Sequence, residues 1–192
     1  MQRTLGKLAV ALLFATSSAA AQTAPDPAAL IGVQRDALKA LAHMNGVWRG
    51  QATTLLPGGE RRTITQTERI GPFLGGSVKV IEGRGYDASG QVVFNAFGIL
   101  SFDPATGTYS MRSYALGRKG DFPLKLTADG YTWEVPAGPG AIVRYTATIK
   151  DNRLHEVGDR IAGGAEPVRV FEMLLERIGD TDWPEQGAIA PR

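Results

Sequence analysis

From Val47 onward, no stretch of this chain runs far before a cluster of Gly, Pro, Asp or Asn interrupts it. The interruptions fall at Pro57-Gly58-Gly59, Pro72 to Gly76, Asp87 to Gly90, Pro104 to Gly107, Gly117 to Gly120, Asp129-Gly130, Pro136 to Gly140, Asp151-Asn152 and Gly163-Gly164. These nine turn signals divide the region into about ten extended segments, none with a helical repeat. Connections this short leave no room for the crossovers that parallel strands need, so neighbouring strands must pair antiparallel. A meander of that many strands removes its exposed edges by closing on itself. The expected fold is mainly β: an up-and-down barrel of about ten strands over residues 46–178.

One amphipathic helix is expected ahead of the barrel, within residues 22–45. Asp26 can accept a hydrogen bond from a free backbone N–H, and Pro27 suits a first helical turn. Leu30, Ile31, Leu38, Leu41 and Met44 then recur at roughly helical spacing, with Arg35, Asp36 and Lys39 between them. Asn45-Gly46 ends the helix, both residues tolerating left-handed geometry. Such a stripe cannot bury itself, so the helix must pack on the barrel.

The last three strands fix their own register. A two-residue turn at Asp151-Asn152 sets Ile149 opposite Leu154, Ala147 opposite Glu156 and Tyr145 opposite Gly158. A turn over Gly163 to Glu166 then sets Gly158 opposite Phe171, Glu156 opposite Met173 and Leu154 opposite Leu175. The apolar face stays continuous across all three strands, and a slip of one residue would scatter it. Glu156 is the exception on that inward face, while His155 points outward. The middle strands are ambiguous. Phe94, Ala96, Gly98, Leu100 and Phe102 form one face, accompanied by Tyr109, Met111 and Ser113. Val93, Asn95, Phe97, Ile99 and Ser101 form the other, which would set Asn95 opposite Glu82 with Arg84 and Arg112 nearby. Alternation alone leaves the choice open.

The first 21 residues are set apart as a secretory signal peptide. Arg3 and Lys7 make a basic start, Leu8 to Ala15 a short apolar run, and Ala19-Ala20-Ala21 an A-x-A cleavage pattern. The apolar run is too short for a stable membrane span. Export to the periplasm or outside the cell is the expectation. Without Arg3 and Lys7 the 21 basic residues fall to 19, matching the 19 acidic ones. A neutral chain without a basic stripe offers nucleic acid little attraction. Residues 179–192 form a tail containing Trp183-Pro184.

The opening of the first strand, Gly46-Val47-Trp48-Arg49-Gly50, resembles the Gly-x-Trp start of lipocalin-like (calycin) barrels. That resemblance implies that Trp48 closes one barrel end beneath an Arg of the final strand, here Arg177. The layout from about Leu38 to Ile178 looks most like an uncharacterised family of exported bacterial barrels. These share a Gly-rich segment like Phe73-Leu74-Gly75-Gly76 and a hairpin like Asp103 to Tyr109. A more distant likeness is to nitrobindins, barrels that carry haem on a C-terminal-region His.

Catalytic signatures are missing. There is no Cys, hence no disulfide, thiolate site or Cys nucleophile. The two histidines, His43 and His155, stand outside any metal spacing, and Pro167 to Met173, where the nitrobindin likeness would put a haem ligand, has no His. There is no Gly-x-Ser-x-Gly elbow, and Gly83-x-Gly85 lacks the third Gly and helix of a dinucleotide site. Four acids lie within strands: Glu82, Glu134, Glu156 and Glu172, with Arg84, Arg112, Arg160 and Arg177 as partners for ion pairs. A carboxyl on the inner face would instead anchor a ligand in an apolar pocket, with its pKa raised if no Arg reaches it. The expected function is non-enzymatic binding of a small, largely apolar molecule, without metal or haem, at Tyr145, Glu156, Phe171, Met173, Met111 and Arg112. Two alternatives are an enzyme using the lumen, by haem or by acid/base chemistry at Glu156, and a cell-envelope interaction module with a filled barrel.

Overall fold

The computed structural model describes residues 26–183. The segment 1–21 read as a signal peptide, residues 22–25 and the tail from Pro184 lie outside the described residues. Ten strands follow one another around a closed antiparallel barrel: β1 Gly46–Leu55, β2 Arg61–Phe73, β3 Val78–Tyr86, β4 Val92–Asp103, β5 Thr108–Ala115, β6 Arg118–Thr127, β7 Gly130–Pro136, β8 Ala141–Lys150, β9 Arg153–Ala162 and β10 Val168–Gly179. Each strand pairs with its sequence neighbour, and β10 pairs with β1 to close the ring. Among the described residues, no helix is long and apolar enough to cross a membrane.

The register of the last three strands is the expected one. Ala147 opposes Glu156, Tyr145 opposes Gly158, and Gly158 and Glu156 oppose Phe171 and Met173. Asp151 and Asn152 sit at φ 52° and 58°, the left-handed pair that a two-residue hairpin with native twist demands. In the middle strands the Phe94–Ala96–Gly98–Leu100 face points inward, with Met111 and Ser113. The alternative pairing is corrected: Asn95 opposes Arg84, and Glu82 opposes Phe97. The β3–β4 turn is one residue longer than Asp87 to Gly90, because the backbone N–H of Asp87 donates to Gln91, and a bulge follows at Gly85/Tyr86. Each step moves the register by one residue, and the sum of two leaves the inner face unchanged.

The helix is shorter than its apolar stripe. α1 spans Pro27–Leu38, capped by Asp26, whose Oδ1 accepts from the Ala28 N–H at 3.0 Å. A tighter 3-10 turn over Lys39–Met44 completes it. Leu38, Leu41 and Met44 are buried, but Leu30 and Ile31 are 36% and 43% exposed. The second half of the helix meets the barrel: Gln34 donates to the Phe102 carbonyl at 3.4 Å, the Tyr109 hydroxyl donates to the Ala37 carbonyl at 2.9 Å, and Leu38 joins the core. The termination also differs from expectation. Asn45 is extended (ψ 131°), and Gly46 alone has a positive φ, 150°. A Cβ there would lie 2.8 Å from Arg177 Nε.

The core fills one half of the barrel. Beside the helix, Trp48, Ile70, Leu100, Leu124, Leu154 and Leu175 meet as a floor in which each is at most 4% exposed. Trp48 opposes Arg177 across β1–β10, and its indole donates to the Met44 carbonyl at 2.9 Å. Arg177 donates to the Asn45 carbonyl from Nε (3.3 Å) and from its terminal nitrogen (3.1 Å). Lys79, itself buried, donates to the Asn45 side-chain oxygen. The closed end is thus an apolar plug in which the indole of Trp48 is satisfied by Met44 and the two cations, Lys79 and Arg177, meet on Asn45.

Candidate functional site

Above this floor the side chains stop meeting, and a cavity of about 800 Å³ remains. Its opposite walls differ in kind. One, on β3, β4 and β5, sets the very small Gly83, Ala96, Gly98, Ser113 and Ala115 among Ile81, Phe94 and Met111. The facing wall is aromatic. Phe122 tilts against Trp133 at 5.4 Å, Trp133 stacks on Tyr145 at 4.7 Å and 21°, and Tyr145 meets Phe171 edge-on at 5.8 Å. Each such contact adds about 0.5–1.5 kcal/mol beyond area burial.

Tyr145 and Phe171 belong to β8 and β10, with β9 between them. They touch because Gly158 occupies the intervening inward position. A Cβ on Gly158 would stand 2.8 Å from Tyr145 Cε1 and 3.0 Å from Phe171 Cβ. The aromatic wall is therefore written into the sequence by an absent side chain.

Two carboxyl groups face this cavity, Glu68 from β2 and Glu156 from β9. Glu156 accepts from the Trp133 indole N–H at 3.1 Å. Burial pushes its carboxyl up to about 7, opposed by that hydrogen bond. Burial pushes Glu68 further, to about 8; the charge of Glu156 adds to the rise and a hydrogen bond with Gln66 opposes it. No salt bridge reaches either acid among the described residues. Burial, with the charge of Glu156, raises the Tyr145 hydroxyl to about 12 and Tyr131 well above its ordinary value, the charge of Glu68 also acting on Tyr131. Both tyrosines stay neutral hydrogen-bonding groups at physiological pH.

Of the expected binding residues, Tyr145, Glu156, Phe171, Met173 and Met111 line the cavity together. Arg112 does not. It stands on the outer face of β5, exposed, and grips Asp121 through Nε (2.7 Å) and a terminal nitrogen (3.1 Å). Strand alternation requires this once Met111 points inward. Three of the four strand acids are likewise outer-face partners: Glu82 with Arg84, Glu134 with Arg144 at 2.7 Å, and Glu172 with His155 at 3.0 Å. Exposed pairs of this kind contribute about 0–1 kcal/mol. His43 is exposed too, so neither histidine faces the lumen.

Glu68 is the residue that strand alternation missed. In Ile64-Thr65-Gln66-Thr67-Glu68-Arg69-Ile70 both faces carry polar groups, so the pattern does not choose between them. Hairpin geometry does. Centring the β1–β2 turn on Gly58 sets Glu68 opposite the inward Trp48, as observed.

No family model matches the chain, and no curated protein matches it. Among solved structures, the crystal structure of Rv2717c from M. tuberculosis is similar over 73% of this chain and 96% of that one, with a TM-score of 0.56 and 16% identity. At that identity the likeness shows the fold alone, a closed antiparallel barrel.

Proposed function

We propose that this barrel is a non-enzymatic, lipocalin-like carrier that holds one small, largely apolar molecule in its lumen. The observation that carries the reading is the half-filled interior: a packed floor beneath an aromatic-walled cavity of about 800 Å³. That size falls within the roughly 300–1,000 Å³ of pockets for small ligands. Phe171 and Met173 supply apolar contact, while Tyr145 and Glu156 offer polar ends that fix orientation. The basic start, apolar run and A-x-A pattern within residues 1–21 support export to the periplasm or beyond. The balanced charge of the remaining chain supports a small-molecule rather than a nucleic-acid partner.

The carrier works without haem in this reading. Neither His43 nor His155 faces the lumen. The visible spectrum of purified protein after haemin addition tests this; a bound Soret band refutes it. The alternative of an acid/base enzyme rests on Glu156, a desolvated carboxyl held near neutrality in a cavity. The interaction-module alternative called for a filled barrel, and a cavity of about 800 Å³ favours the carrier over it.

The carrier is tested with N-phenyl-1-naphthylamine, whose fluorescence rises in an apolar lumen. Wild-type protein is expected to take it up. Phe171→Ser and Met173→Ser are expected to lose that uptake while keeping the barrel's circular dichroism; unchanged uptake refutes this site.

A further inference from the structure

The chemistry of the lumen narrows the kind of molecule, given the carrier reading above. Glu68 and Glu156 come from β2 and β9, distant in sequence and separated around the ring by β1 and β10, so their presence in one cavity is no by-product of a local motif. A buried carboxylate is costly unless a cation or several donors meet it. Glu82, Asp121 and Glu134 on the outer face have cationic partners, while among the described residues no salt bridge reaches Glu68 or Glu156. Glu156 receives the Trp133 N–H and Glu68 the Gln66 amide, which leaves most of the acceptor positions on each carboxylate directed into open space.

Among the described residues, the basic side chains nearest the cavity do not fill that space. Lys79 and Arg177 are turned into the floor, where both bond Asn45. Arg118 and Lys119 stand exposed at the cavity's rim, where water and salt screen them. Beside Glu156 stands instead the Trp133 ring, stacked on Tyr145, and both rings line the same cavity as Glu68; aromatic surfaces of this kind attract positive charge.

We infer that the molecule held here carries a protonated amine or amidine on a flat aromatic body, with the cation between Glu68 and Glu156 and the body against the aromatic wall. Its N–H groups supply the donors that the barrel withholds.

Three probes of one shape test this at neutral pH by calorimetry and by quenching of tryptophan fluorescence: 9-aminoacridine, a cation; acridine, neutral; and acridine-9-carboxylate, an anion. The cation is expected to bind about tenfold or more tighter than the neutral ring, the size of one charge-assisted bond to a buried acid. The anion is expected to bind weakest. Glu68→Gln and Glu156→Gln, which keep shape, should each erase the preference for the cation while retaining acridine. Equal binding of cation and neutral ring, or preference for the anion, overturns the amine inference and leaves the carrier standing. Failure of all three probes overturns both. The wild-type comparison decides even if a variant does not fold.

Discussion

The indole N–H of Trp133 points at Glu156, 3.1 Å from its Oε1, while the same ring lies flat on Tyr145. The aromatic wall and the acid are one construction. The donor lowers the carboxyl's pKa, and burial raises it more strongly, leaving Glu156 at about 7. Glu68, raised by burial and by the charge of Glu156 against an opposing hydrogen bond with Gln66, reaches about 8.

Those two values set the pH dependence of folding. Unfolded, both glutamates titrate near their ordinary value of 4.5; folded, they keep their protons to about 7 and 8. Between these limits the native state binds more protons than the unfolded chain, so stability is fully present below about pH 4.5 and falls as pH rises towards 8. The loss is on the order of a few kcal/mol. Lys79 acts in the next window: burial lowers it to about 8, so the native state gains stability from there upward. The outer carboxylates Asp36, Asp87, Asp103 and Asp121, all lowered by hydrogen bonds, act only at more acidic pH. Urea unfolding followed from pH 5 to 8 should show the decline in wild type and a flatter profile in Glu68→Gln/Glu156→Gln. An unchanged slope in the double variant contradicts the assignment.

How far the sequence specified this arrangement depended on how each strand was marked. Glu156 was legible because its neighbours Leu154, Ala147 and Met173 are apolar, so the face was unambiguous and the acid stood out on it. Glu68 was not, because Thr65, Thr67 and Arg69 on the outer face are no more polar than Gln66 and Glu68 on the inner one. The opposite difficulty arose on β4, where Phe97 and Ile99 are as apolar as Phe94 and Leu100, and only the closed ring selects the inner set. Leu30 and Ile31 followed the helical period faithfully yet found no surface to cover, since periodicity states which face is apolar and not how much of it meets a partner.

Gly158 should resist any side chain. Gly158→Val places a branched Cβ where 2.8 Å separates the position from Tyr145 and 3.0 Å from Phe171. Overpacking of this kind costs about 1–3 kcal/mol. The expected signature is specific: near-ultraviolet circular dichroism from Trp133 and Tyr145 changes, and uptake of N-phenyl-1-naphthylamine falls, while far-ultraviolet circular dichroism is retained. Unaltered near-ultraviolet signal would mean that the wall does not depend on this glycine.

The floor should depend on Trp48 in two separable ways. It is 1% exposed, and its indole holds the Met44 carbonyl at 2.9 Å. Trp48→Phe retains most of the packing and loses that bond, at a cost of about 1–2 kcal/mol. Trp48→Ala also opens a cavity, at about 3–5 kcal/mol. Equilibrium denaturation of both variants measures the two steps. Equal losses would show that the hydrogen bond, not the ring volume, holds the floor.

The segment after β10 turns back onto the barrel's own outer face. Trp183 meets Phe73 edge-on at 5.3 Å, and the Arg69 guanidinium lies 5.6 Å from the Trp183 ring. The fit requires Gly71, since a Cβ there would stand 2.9 Å from Trp183 Cβ and 3.2 Å from Thr181 Oγ1. Aromatic and cation–π contacts together stabilise this clasp by about 1–2 kcal/mol. Trp183→Ala should lose that much, and Gly71→Val should lose a similar amount by pushing the same ring away. Because both variants remove one contact, their effects should not add: the double variant should be about as stable as either alone. Additive losses in urea unfolding would mean that Gly71 serves the β2 backbone rather than the docked tryptophan.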